Sequence, residues 1–108
     1  MEVTEDLSNR YGTLHGGCIA TIVDVVSTAA LVSLSEFGGV TLELNCSYLN
    51  AAKVGETVEV EARVLKVGGA VAVLACSIKA QGSGRLVAEG RHTKYLPRTE
   101  IAPHLARL

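Results

Sequence analysis

Apolar residues fill almost every position from Gly16 to about Glu36, broken by one acid, Asp24, and a few hydroxyls. A helix that is apolar on nearly every face is expected to be buried on nearly every face. Ala20, Ala29 and Ala30 keep it slim, and Phe37-Gly38-Gly39 is expected to end it with a left-handed glycine cap. Four strands are predicted after it. Val40 to Leu49 alternates, with Leu42, Leu44, Cys46 and Tyr48 on one face and Thr41, Glu43, Asn45 and Ser47 on the other, so it reads as half-buried. Thr57 to Val67 alternates again and turns at Gly68-Gly69. Ala70 to Ala80 is more continuously apolar and therefore central, and Arg85 to Leu96 is the last strand, stopped by Pro97. Glu2 to Ser8 reads as a short edge strand, Asn9 to Leu14 as a loop, and 99–108 as a loose tail behind one domain spanning 1–98. A long helix followed by an antiparallel meander is satisfied by wrapping the sheet around the helix. The remaining sheet edge would be covered by joining a second copy.

Composition narrows the classes. The 108 residues suffice for one core, and 48% apolar content with a mean hydropathy of +0.32 is rich for so small a domain, which again points to burial between subunits. A net charge of −1, no basic block and few aromatics give no support to a nucleic-acid or membrane-surface partner. Asp24 and the serines and threonines of the helix argue against a membrane span. Cys18, Cys46 and Cys76 are odd in number and far apart, which suits buried thiols in a reducing compartment. His15, His92 and His104 lack ligand-type spacing, so no metal or cofactor is expected. A cytoplasmic location is expected. The final Ala106-Arg107-Leu108 is a relative of the Ser-Lys-Leu peroxisomal address, although an ordinary tail is the plainer reading.

The chemistry concentrates in Asn9-Arg-Tyr-Gly-Thr-Leu-His15-Gly16-Gly17, followed by Asp24. A Gly-Gly pair opening a helix offers bare backbone N–H groups to an oxygen carrying negative charge. A carboxylate in apolar surroundings is costly without a partner or a task, and its pKa would be raised toward that of a better base. Together they suggest the two halves of a hydrolytic acyl-transfer site. Eight helical residues separate Gly16 from Asp24, about 12 Å along the axis. If both act on one carbonyl group, they come from different chains.

Asn9, the His15-Gly16-Gly17 run with Asp24, Thr41, and Gly90-Arg91-His92-Thr93-Lys94 resemble the hotdog-fold acyl-CoA thioesterases, in the branch with phenylacetyl-CoA-type thioesterases and thioesterase superfamily member 2. The resemblance runs from about Asn9 to Leu96. It implies an α+β hotdog fold, an antiparallel sheet wrapped around one long central helix, in a homodimer or dimer of dimers. It implies that Gly16 donates its N–H to the thioester carbonyl, assisted by Asn9. Asp24 would deprotonate a water or attack directly, and Thr41 would position that water. His15 would shape the helix entry, and His92 would lie near the acyl group. The CoA arm would run along Tyr48, Asn50, Ala51, Ala52 and Lys53, with Glu43 and Tyr95 nearby, and along the turn Lys66, Val67, Gly68, Gly69. Two departures stand out. No basic residue follows Gly68, so nucleotide grip is expected to be weaker or to be supplied by Arg91 or Lys94, and only eight residues precede Asn9.

Plainer readings stand beside these. Asp24 could be an acid satisfied by helix-end amides or by a serine, His92 a satisfied core histidine, and Thr41 a strand residue by propensity. A Cys18–His15 nucleophile pair lacks a third member. A non-catalytic subunit that binds acyl-CoA or an acyl carrier is the main alternative function. Hydratase chemistry ranks below it, since it needs an Asp/His pair closer than His15 and Asp24.

Overall fold

The apolar run after His15 winds into α1 (Gly16–Val32) in the computed structural model, which describes residues 1–35 and 37–97. His15 is its N-cap, held extended at φ −65°, ψ 137°, with ring Nδ1 accepting the Gly17 N–H at 3.0 Å. The helix stops short of the expected Glu36. Ser33 caps it in a right-handed conformation, and the Ser33 hydroxyl bonds the Ala30 carbonyl. Short hydroxyl side chains compete with the helical ladder in this way. The glycine cap is therefore corrected: Gly39 does adopt φ +70°, but beyond the helix end.

Four strands form one antiparallel sheet: β1 (Val40–Tyr48), β2 (Val58–Gly68), β3 (Val71–Ala80) and β4 (Leu86–Tyr95), in the order β1-β4-β3-β2. Only β2, β3 and β4 make the expected meander. β1 pairs with β4 instead, at the opposite edge from β2. The link between β1 and β2 must cross the sheet past the start of α1. On its way it ties down the loop before the helix, through Leu14 N–H to the Ala52 carbonyl at 2.7 Å and Val54 N–H to the Gly12 carbonyl at 3.0 Å. β3 is central and almost wholly buried, as its composition requires.

α1 packs against all four strands. This is the α+β hotdog arrangement, one helix cradled by an antiparallel sheet. Ile19, Val23, Ser27 and Leu31 form the buried stripe, at i+4 spacing. Val25 and Val32 face out, so within one chain the helix is buried on one side and not all round. Ile19 and Val23 sit in the larger core cluster with Leu14, Val58, Ile78 and Val87, while Leu31 packs with Leu74 and Leu96 at the other end. The N-terminal edge strand is corrected too. Glu2 makes an isolated bridge to Thr57, and Glu5–Leu7 is a single 3-10 turn.

A bulge in β1 changes which residues share a face. Thr41 pairs with Lys94 and Glu43 with Thr93, leaving Leu42 as the extra residue. Leu44 then lies opposite His92, and Cys46 opposite Gly90. Thr41 thereby joins their face, toward α1, contrary to the strict alternation. Glu43 stays on the far face.

Candidate active site

Two groups of polar residues sit along α1. The first is at its N-terminus. The Asn9 side-chain oxygen accepts from Tyr11 N–H at 2.9 Å, Thr13 N–H at 3.3 Å and the Thr13 hydroxyl at 3.2 Å, so it pins the loop. Among the described residues its NH₂ group and the Gly16 N–H have no acceptor, whereas the Gly17 N–H is taken by His15. That bond uses His15 Nδ1, and His15 is not bonded to Cys18. Tyr48 closes the side of this end, donating its hydroxyl to the Gly16 carbonyl at 3.2 Å. Between them lies an open groove of about 260 Å³ lined by Leu14, Gly16, Ile19 and Tyr48 to Ala51.

The second group lies halfway along the helix. His92 on β4 is wholly buried beneath it. Its Nδ1 is 2.9 Å from the Ser27 hydroxyl and its Nε2 is 2.8 Å from the Thr41 hydroxyl. The Asp24 carboxylate comes within 3.9 Å of the same Nε2. Contrary to expectation, Asp24 is not buried within one chain: its side chain is 49% exposed. Asp24, Thr41 and His92 thus meet, while His15 and Gly16 stand at the helix start, behind the loop that Asn9 pins, two helical turns away, about 12 Å along the axis.

Burial is the main force holding His92 below its ordinary pKa of 6.5, and the Lys94 ammonium adds to it while Asp24 opposes. The folded ring therefore binds a proton less readily than the unfolded one. Stability is complete above the unfolded value and falls as pH drops through 6.5 toward the folded value. Urea midpoints should accordingly decrease between about pH 7.5 and about pH 5.5, and less steeply in His92→Asn. Equal slopes would show that the ring carries no such linkage. Burial also pushes the Cys76 thiol up to about 11 and raises Cys46, as suits inert core thiols.

The residues expected along a CoA arm do not adjoin in one chain. Tyr48 shares a row of the sheet with Ala88 and Ile78, whereas Tyr95 and Gly68 share the row of Val40 and Val71. Seven residues of β4, roughly 23 Å, separate the two rows. Asn50, Ala51 and Lys53 do line one groove, with Glu56 and Arg85; Ala52 is buried in the core instead. Arg85 donates to the Ala51 carbonyl at 2.8 Å and lies 3.5 Å from Glu56. Lys94 is not free to grip a nucleotide: it is 5% exposed and donates to the Thr28 hydroxyl at 3.0 Å, beneath α1. Arg91 is exposed, but on the face turned away from α1, opposite Asn45. The peroxisome-like tail lies outside the described residues. No helix among them is long and apolar enough to cross a membrane.

Two contributors were missed in the sequence, Ser27 and the Lys94–Thr28 pair. A signal for Ser27 existed. It is the one polar member of the stripe Ile19, Val23, Ser27, Leu31, and it lies three residues beyond Asp24. Lys94 offered a weaker one, since β4 alternation puts it on the face of His92.

Comparison with known proteins agrees with this fold. The family model described as the thioesterase superfamily matches residues 11–87. Human acyl-coenzyme A thioesterase 13 is 42% identical over 97 residues, covering 89% of this chain and 69% of its own length. The crystal structure of zebrafish thioesterase superfamily member 2 superposes with a TM-score of 0.87 at 44% identity, over 89% of this chain and 70% of that one. A Streptococcus mutans protein bound to acetyl-CoA gives a TM-score of 0.82 at 30% identity, over 88% and 75%. The family match takes in His15, Gly16, Asp24, Ser27 and Thr41 and stops at the start of β4, before His92; on these matches the chain belongs to the thioesterase superfamily.

Proposed function

We propose that the protein hydrolyses the thioester of an acyl-CoA to the free acid and CoA, at a site shared between two copies of the chain. The observation that carries the proposal is the division of labour along α1. Unpaired donors stand at the helix entry, and an accessible carboxylate with an ordered hydroxyl beside it stands two turns on. One copy's Gly16 N–H and Asn9 NH₂ would receive the thioester oxygen. The other copy's Asp24 would take a proton from water as the hydroxide adds to the carbonyl carbon, or would attack directly. In either route the carbonyl electron pair moves onto oxygen, where fixed N–H donors stabilise it. Collapse then expels the sulfur, which leaves as the thiol once protonated; in the direct route this leaves a mixed anhydride on Asp24, which water then hydrolyses to release the free acid and restore the carboxylate.

A second copy is supported by what one copy leaves open. β1 is an edge strand, largely exposed, with Val40, Leu42 and Leu44 on it. The outward side of α1 carries Val25 and Val32. Antiparallel joining of two β1 edges would cover both and set each Asp24 toward the other chain's helix entry. It would also bring the Lys66–Gly69 end of one copy toward the Tyr48–Lys53 end of the other, where the CoA arm is proposed to run. The relatives named for acyl-CoA chemistry and the acetyl-CoA complex support CoA as the carrier. The test is thiol release from short, long and aromatic acyl-CoAs. Release is expected from at least one class. Tight binding with no release from any would leave a carrier subunit instead.

A further inference from the structure

We propose that Ser27 is a positioning residue: by giving its own proton to the helix backbone, it compels the buried His92 ring to donate through Nδ1 and leaves Nε2 to receive the Thr41 proton. The consequence for catalysis rests on the thioesterase reading, but the proton order itself does not.

The order follows from counting donors. Ser27 is wholly buried on the face of α1 that covers β4. Its oxygen lies 2.5 Å from the Val23 carbonyl, 3.2 Å from the Asp24 carbonyl and 2.9 Å from His92 Nδ1. Carbonyl oxygens only accept, so the single hydroxyl proton goes to the backbone, as is usual for a mid-helix serine. Nδ1 must then bring its own proton. A neutral imidazole carries one N–H, so Nε2 is bare, and Thr41 at 2.8 Å is the hydroxyl that donates to it. The ring stays neutral because of what faces it. Leu74 on β3 and Leu44 on β1 lie opposite, Lys94 follows on β4, and Asp24 on α1 is the one acid near it among the described residues. Its lowered pKa agrees with this.

The order matters for Asp24. With its proton on Nε2, Thr41 presents only lone pairs to the space it shares with Asp24. A water there would send one proton to the Thr41 oxygen and one to the Asp24 carboxylate, leaving an oxygen lone pair for the carbonyl carbon. With the opposite tautomer, Nε2–H would donate to Thr41. The Thr41 proton could then turn to the carboxylate and compete with water for the base.

Nitrogen-15 NMR of histidine-labelled protein without substrate reads the tautomer directly. Wild type should show His92 as Nδ1–H, and so should Thr41→Val, because Ser27 and not Thr41 sets the order. Ser27→Ala should move His92 toward Nε2–H and lower kcat roughly ten- to a hundredfold, the range for losing a partner that orients an active group, with KM little changed. An Nε2–H tautomer in wild type overturns the proposal, as does a Ser27→Ala protein that keeps both tautomer and kcat. If Ser27→Ala fails to fold, wild type and Thr41→Val still decide between the two tautomers. If no acyl-CoA is hydrolysed, the thioesterase reading fails while the NMR result still judges the proton order.

Discussion

Asp24→Asn is expected to lower kcat for thioester hydrolysis by about 10²–10⁴-fold, the usual span for losing a positioned proton acceptor, while leaving thermal unfolding close to wild type. The amide keeps the shape of the carboxylate and removes its basicity. The side chain is half exposed in one chain and 3.9 Å from the nearest ring nitrogen, so the fold loses little. Gly16→Pro is the matching deletion at the other half of the site. Gly16 is the first residue of α1, where proline is best tolerated, and His15 before it is already extended at ψ 137°. A Cβ there would meet Tyr48 no closer than 3.6 Å. The substitution therefore removes one N–H and little else, and it should lower kcat by about 10²–10³-fold, the range for losing one oxyanion donor. Mixing the two impaired variants should restore activity. A statistical mixture of dimers would recover about a quarter of wild-type turnover, since one site in each mixed dimer takes both intact halves. No recovery, with subunit exchange demonstrated, would mean that both halves act within one chain, and the shared site would be abandoned.

How much of this was legible depends on the range of the interaction. The helix start and the four strands follow from local periodicity and glycine turns, so they lie within a few residues of expectation. Strand order is different. Nothing in the spacing of Val40 to Leu49 says that it pairs with β4, because the preference arises from how the crossing link and the helix pack together. The site shows the same division. Asp24, His15 and Gly16 stand out locally, since a lone acid and a Gly-Gly helix entry are visible without tertiary contacts. Thr41 was singled out by resemblance alone, and the alternation put it on the wrong face. The extra residue Leu42 turns it toward His92, and a bulge in a β-branched, apolar run carries no local signal. The burial of Asp24 was misjudged for a further reason. Some of the apolar residues around it on α1 that argued for burial, Val25 and Val32 among them, face away from this chain's own sheet.

Gly39→Ala and Gly90→Ala should separate two kinds of close approach, and Gly39→Ala should be the more damaging. At Gly39 a Cβ would lie 2.5 Å from the Tyr95 carbonyl oxygen and 2.9 Å from Leu96, at φ +70°. A left-handed alanine costs about 1–2 kcal/mol, and forced packing adds about 1–3 kcal/mol. The total, about 2–5 kcal/mol, should lower Tm by about 10 °C or more in a domain of this size. Leu96→Ala would relieve only the side-chain contact, because the carbonyl belongs to the backbone of β4. At Gly90 the obstacle is a side chain: the added Cβ would meet Val23 at 2.5 and 3.0 Å. A loss of about 1–3 kcal/mol is expected, without a conformational penalty. Here Val23→Ala opens the space, so the double variant should be more stable than the sum of the two single losses by about 1 kcal/mol or more. Val23 precedes Asp24 on α1, and Gly90 lies two residues before His92 on β4. The missing side chain at Gly90 is what lets the helix come down close enough to bring the carboxylate near the ring. Gly90→Ala should therefore lower kcat as well as Tm, and adding Val23→Ala should recover part of both. Recovery of stability without recovery of turnover would show that helix height does not control the carboxylate.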